Sequence, residues 1–232
     1  HLQSRRETGE YLMRIAPAGA QGLAQRLAPH ELPAAGGEGA QGAALAQGGY
    51  GHRELIVRIN ALSTEWGAAD IEAICRFPVQ PDAVLIPKID TARDVTDAIT
   101  AFERAGCAQH VAMWIMAETP RCILNIAEVA GAHPRLAGMV MGTSDLSKDT
   151  RVRHTPDRLG FIAALNLCVY AARANGLTII DGVQLDLKNE KLLRLSCEQG
   201  RDLGFDGKSL IHPDQVAAAN IAFAPSAVEI AS

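Results

Sequence analysis

The chain has 232 residues, 48% of them hydrophobic, and a formal net charge of −4; this length fits one large domain with a substantial core. The negative balance leaves no electrostatic footprint for nucleic acid, and a small anionic substrate would need a local basic group. Five widely spaced cysteines without a CxxC pair argue against a disulfide framework or structural zinc and fit a reducing cytoplasm, while no apolar run approaches the roughly 18 residues of a membrane helix and no signal-peptide pattern is seen.

Residues 1–52 form an atypical segment rich in Ala, Gly, Gln and Pro, with Pro-Ala-Ala-Gly-Gly-Glu-Gly at 33–39 and Gly48-Gly49. It offers no Val, Ile or Phe run that could serve as a central strand. Leu23 to Leu27 suggests a short helix, and most of the segment reads as peripheral.

From Arg53 to the end at 232 the pattern is regular. Strands are expected at Leu55–Ile59, Ala83–Ile86, Val111–Met116, Gly138–Met141, Leu177–Ile180 and Phe205–Ile211. Short apolar runs bounded by cap residues read as strands buried on both faces. Between them, Thr91 with Asp94 has capping-box spacing, and Thr119-Pro120 and Thr155-Pro156 each place a cap before a proline at the first helical position. The long helix after Pro156 is expected to group Leu159, Ile162, Ala163, Asn166 and Val169 on one face and to stop near Gly176. Asn189 caps a further helix that ends at Gly204, and Pro213 opens the last one. Strand starts recur roughly every 27 to 39 residues, the length of a strand–helix–strand unit. Buried strands alternating with helices predict a parallel α/β fold. No GxGxxG follows an expected strand, so a dinucleotide-binding sheet is not expected.

Polar residues cluster where strands end: Arg58 and Asn60, Lys88, Glu118, Asp145 and Asp181. In a (β/α) barrel those ends share the face that carries the active site. Glu118 either supports the helix that follows it or meets a metal or substrate at the core edge. Neighbouring strands lie about 4.8 Å apart, so Glu118 and Asp145 can reach one cation, and such an oxygen-rich site suits Mg²⁺. Arg58, a full charge within a β-branched strand, needs a partner: a substrate carboxylate or carbonyl oxygen, or a buried acid such as Asp145. Lys88 reads equally as structural or electrostatic. His212 before Pro213 reads as a helix-start residue rather than a base.

The ordered set Val57-Arg-Ile-Asn60, Leu85-Ile-Pro-Lys88, Ala117-Glu-Thr-Pro-Arg121, Gly142-Thr-Ser-Asp-Leu146, Asp181-Gly182 and Gly204-Phe-Asp-Gly-Lys-Ser-Leu-Ile-His-Pro213 resembles the citrate lyase β-subunit / malyl-CoA lyase family. That family is a branch of the 2-oxo acid aldolase and pyruvate–phosphoenolpyruvate barrel superfamily. The resemblance spans residues 53–230 and implies a (β/α)₈ TIM-type barrel. It implies Mg²⁺ held by Glu118 and Asp145, and a substrate touched by Arg58, Glu118 and Asp181, with Arg58 also stabilising oxyanion charge. The implied reaction is reversible cleavage of a β-hydroxyacyl-CoA thioester such as malyl-CoA, citramalyl-CoA or citryl-CoA into an oxo acid and an acyl-CoA. A homo-oligomer, trimer or hexamer, is implied too. The family's first two strands, with their Pro-Gly loop and Leu-Glu-Asp end, have no match in residues 1–52, and Cys122 stands where glycine usually follows Glu-Thr-Pro-Arg. The first two βα units are therefore expected to be absent or atypical. Alongside the lyase, two alternatives stand: a catalytically impaired CoA-ester-binding or assembly subunit, and an acyl-CoA thioesterase on the same scaffold.

Overall fold

The computed structural model describes residues 11–15, 24–26, 45 and 54–225. Its strands are β1 (Tyr11–Ile15), β2 (Ala24–Arg26), β3 (Glu54–Arg58), β4 (Ala83–Ile86), β5 (Ala112–Ala117), β6 (Leu136–Met141), β7 (Thr178–Asp181) and β8 (Gly207–Leu210). They close into a barrel in the order β1-β2-β8-β7-β6-β5-β4-β3. The run from β3 to β8 is parallel throughout, as the sequence predicts. The seam is different. β2 runs parallel to β8, whereas β1 is antiparallel to both β2 and β3.

Two expectations are corrected here. The segment without Val, Ile or Phe runs nonetheless supplies two barrel strands, and Ala24–Arg26, within the expected helix, is extended. The physical reason lies in the partners. Without β1 and β2, β3 and β8 would each present a row of unpaired N–H and C=O groups, and so short a segment cannot nucleate a helix unaided. The stretch at 33–39 and Gly48-Gly49 lie outside the described residues.

The helices are α1 (Gly67–Arg76), α2 (Ala92–Arg104), α3 (Pro120–Leu124), α4 (Ile126–Ala130), α5 (Thr143–Thr150), α6 (Ile162–Ala174), α7 (Glu190–Leu203) and α8 (Val216–Phe223). Thr91 and Asp94 form the expected capping box at α2, Thr119 caps α3, and Asn189 caps α7. Gly204 ends α7 at φ 96°, in the left-handed region open to glycine. The helix expected from Pro156 starts only at Ile162, because Arg158 sits at φ 50° and breaks the turn. Its buried face is Leu165, Cys168, Val169 and Ala172, while Leu159 is 74% exposed. Among the described residues no helix is long and apolar enough to cross a membrane, and all five cysteines are free.

Period-two alternation splits the core. Ile56, Ala83, Leu85, Trp114, Val140 and Ile180 fill the barrel interior, while their neighbours along the strands pack outward against the helices. Each of the Ile, Leu and Val side chains contributes roughly 1.5–3 kcal/mol on burial. Trp114 takes space that a side chain from β6 would otherwise fill. A β-carbon at Gly138 would lie 2.6 Å from its ring, so glycine is required there.

Candidate active site

Continuing the inward alternation past the apolar layer leads to the barrel mouth. Two residues beyond Ile56 comes Arg58; beyond Trp114 come Met116 and Glu118; beyond Val140 comes Gly142. These four line one cavity of about 350 Å³, with Leu85, Val140, the first turn of α5, Val183, Leu185 and the end of β8 completing its wall. The sequence-predicted Arg58, Glu118 and Asp145 therefore meet in one place.

Glu118 is 1% exposed. Its Oε1 accepts a hydrogen bond from the Lys88 backbone N–H at 2.9 Å. Thr119 fixes the following turn by accepting from Cys122 N–H at 3.0 Å and donating to Asp90. Gly142 N–H donates to Ala117 O at 3.0 Å, which locks the two strand ends side by side. Asp145 lies in the first turn of α5 rather than at the strand end, close enough to Glu118 for each carboxyl to act on the other. Burial pushes the Glu118 carboxyl up to about 7, with the Asp145 charge adding to the rise and Lys88 opposing it. Burial acts the same way on Asp145, but the Lys88 ammonium outweighs it and holds that carboxyl below its ordinary value.

Lys88 is the member whose role the residues alone left undecided. Its Nζ stands 3.0 Å from Asp145 Oδ1 and 3.9 Å from Glu118 Oε1. Its backbone is held at φ 57°, costly for a side chain other than glycine. The strain turns both its N–H and its ammonium toward the acid pair. Burial lowers the Arg58 guanidinium from its ordinary value, against the opposing pull of Glu118 and Asp145. The charges of Glu118 and Asp145 both act on Arg58 where it lines the cavity wall.

A divalent cation fits this donor set. Two adjacent carboxylates, one buried and proton-retentive, form a pair whose mutual repulsion a cation would relieve. The Lys88 ammonium lies against the same oxygens. Among the described residues no group of three or more His, Cys, Asp or Glu converges, so a bound ion would take its other oxygen ligands from substrate and water.

Asp181 is placed elsewhere, and the expectation that it touches substrate is corrected. Ile180 fills the barrel, so Asp181 faces outward toward α7, where a β-carbon on Gly200 would lie 2.8 Å from its Oδ2. It is fully buried. Arg158 Nη1 donates to both its oxygens at 2.7 Å, Lys208 Nζ to Oδ2 at 2.8 Å, and Gly182 N–H to Oδ1 at 2.7 Å. The residues after it, Val183 and Leu185, line the cavity in its place. Lys208 carried the same signal as Arg58, a cation amid strand residues, whereas Arg158 gave none. His212 accepts from Asp214 N–H at a helix start, as expected.

A family model described as HpcH/HpaI aldolase/citrate lyase matches residues 41–213. The chain belongs to this family. It is 53% identical over 181 residues to a (3S)-malyl-CoA thioesterase of Cereibacter sphaeroides, covering 78% of this chain and 60% of that protein. It is 36% identical over 186 residues to the citrate lyase subunit beta of Escherichia coli, covering 78% and 61%. The chain thus spans about 60% of the length of these relatives. Among solved structures of similar fold, RipC from Yersinia pestis gives a TM-score of 0.73 at 26% identity, covering 90% of each chain. Protein CitE from Mycobacterium tuberculosis in complex with magnesium and pyruvate gives 0.61 at 26% identity, covering 74% of this chain and 69% of that one. The HpcH/HpaI aldolase/citrate lyase family includes lyases and a thioesterase, and the barrel found here is of the kind its members share.

Proposed function

We propose that this chain acts on a malyl-CoA-type β-hydroxyacyl-CoA thioester with the help of Mg²⁺ held by Glu118 and Asp145. The observation that carries the reading is the convergence of a buried, proton-retentive Glu118, Asp145 and Arg58 on one cavity at the barrel mouth. When bound, the ion would supply Lewis acidity and a template for adjacent substrate oxygens. Arg58 would hold a carboxylate or the oxygen on which charge develops. The backbone at Gly142 to Ser144, which lines the cavity at the start of α5, favours an anionic group through the positive end of the helix. Leu85, Met116, Val140 and Leu210 would exclude water and strengthen those electrostatic contacts.

Two outcomes are open to such a substrate. Hydrolysis of the thioester is supported by the relatives at 50–53% identity, each a (3S)-malyl-CoA thioesterase. Carbon–carbon cleavage to an oxo acid and an acyl-CoA is supported by the citrate lyase β-subunit relatives at 33–36%. Incubation of the chain with malyl-CoA and Mg²⁺, followed by product chromatography, separates them. Malate with free CoA marks the thioesterase, and glyoxylate with acetyl-CoA marks the lyase. Tight binding of malyl-CoA without either product would mark a binding or assembly subunit instead.

A further inference from the structure

Lys88 brings a positive charge to the two carboxyls that a divalent ion would use. Its Nζ stands 3.0 Å from Asp145 Oδ1 and 3.9 Å from Glu118 Oε1, so one ammonium spans the pair. The backbone anchors this contact. Lys88 N–H donates to Glu118 Oε1 at 2.9 Å, and the residue is held at φ 57°. Such a conformation is costly outside glycine and persists only where the surroundings enforce it. The main chain is thus fixed against Glu118 independently of the ammonium.

The side chain itself is not enclosed. It is 39% exposed, against 2% for the Glu118 side chain. An ammonium is a compact, strongly hydrated charge on a flexible stem, so this one can leave the acids for water while the barrel stays as it is. Arg58, the other cation beside the pair, belongs to β3 and lines the cavity wall.

Building on the reading that Glu118 and Asp145 hold Mg²⁺, we propose that Lys88 is an exchangeable counter-ion: its ammonium compensates the two carboxylates in the metal-free chain, and a divalent ion displaces it. Mg²⁺ needs close, direct contact with its oxygen ligands, and an ammonium beside the same oxygens repels it, the more so away from bulk water. Lys88 therefore holds the affinity for the ion below what the two carboxylates alone would give, and keeps the acid pair compensated when no ion is bound. Lys148, exposed in the last turn of α5, acts on Asp145 through its charge alone and is the natural control.

The test is titration of the metal-free whole chain with Mn²⁺ at mildly alkaline pH, followed by electron paramagnetic resonance, with thermal melts before and after the metal is added. Lys88→Met tightens Mn²⁺ binding at least about tenfold. It also lowers the melting temperature of the metal-free chain and enlarges the rise that Mn²⁺ produces. Lys148→Met changes the affinity by about threefold or less. If Lys88→Met folds poorly, Lys88→Gly, for which φ 57° is unstrained, removes the same ammonium. Unchanged or weaker binding in the Lys88 variants, equal tightening in Lys148→Met, or a melting temperature lowered equally with and without Mn²⁺ would overturn the proposal. Failure of the metal site itself looks different: Mn²⁺ then binds none of the chains, or binds Glu118→Gln as tightly as wild type, and the counter-ion role falls with it.

Discussion

Gly142 lies directly against Glu118: a β-carbon at position 142 would stand 2.8 Å from Glu118 Oε2 and also collide with the Glu118 Cβ. The glycine is therefore what lets a buried carboxylate reach the barrel mouth beside the next strand. Gly142→Ala should displace Glu118 by a fraction of an ångström or more. Misplacement of about 1 Å in a catalytic group can cost on the order of 100-fold in rate, and overpacking costs about 1–3 kcal/mol of stability. Steady-state kinetics with malyl-CoA and a denaturant melt measure both. Unchanged kinetics would show that the Glu118 position is not critical.

The pH dependence of stability follows from Glu118. Its folded carboxyl titrates at about 7 against an ordinary 4.5, so the folded state holds the proton more tightly than the unfolded state does. With chelator present, the Glu118 contribution to stability is greatest below about 4.5, falls as pH rises to about 7 and is flat above that. Asp145, whose carboxyl is lowered, acts below its ordinary value and outside this window. Mg²⁺ should reverse the trend, stabilising more at pH 8 than at pH 5.5, since it binds the deprotonated pair. Thermal melts of wild type and Glu118→Gln across pH 4.5–8 check this: the variant should lose this component of the slope.

Asp181 is expected to matter for folding rather than for substrate. Asp181→Asn leaves Arg158 and Lys208 buried without their counter-charge, and breaking a buried pair costs about 3–5 kcal/mol. The melting temperature should fall steeply while KM for the protein that remains folded changes little. A large rise in KM with stability preserved would restore the substrate contact that the resemblance implied.

The barrel interior gives a simpler expectation. Gly138→Ala places a methyl 2.6 Å from the Trp114 ring carbons, in a layer packed on all sides by Ile56, Leu85, Val140 and Ile180. A loss of about 1–3 kcal/mol is expected in a denaturant melt. No loss would mean that Trp114 can move aside.

What the sequence made legible was whatever depends on local pattern. The six parallel strands lie within two residues of expectation at their starts, because apolar runs between cap residues carry that information directly. Arg58, Glu118 and Asp145 were recognisable as charges at strand ends, and the fold brings them to one cavity. The features that were not legible depend on distant parts of the chain. Ala24–Arg26 is extended because β8 and β1 pair with it, and nothing in its own residues says so. Asp181 ends its strand as expected but faces outward, since which face is inward depends on Ile180 filling the barrel. Lys88 owes its reach to a left-handed backbone that a Pro-Lys pair does not announce. Arg158 lies 23 residues before its partner Asp181, in a loop with no periodic pattern.

The central claim is that Glu118 and Asp145 together hold one divalent cation, and titration of the metal-free chain with Mn²⁺, followed by electron paramagnetic resonance, tests it most directly. One site per chain is predicted, displaced by Mg²⁺, and weakened severely in both Glu118→Gln and Asp145→Asn. Binding that keeps the same stoichiometry and affinity in either variant would contradict it.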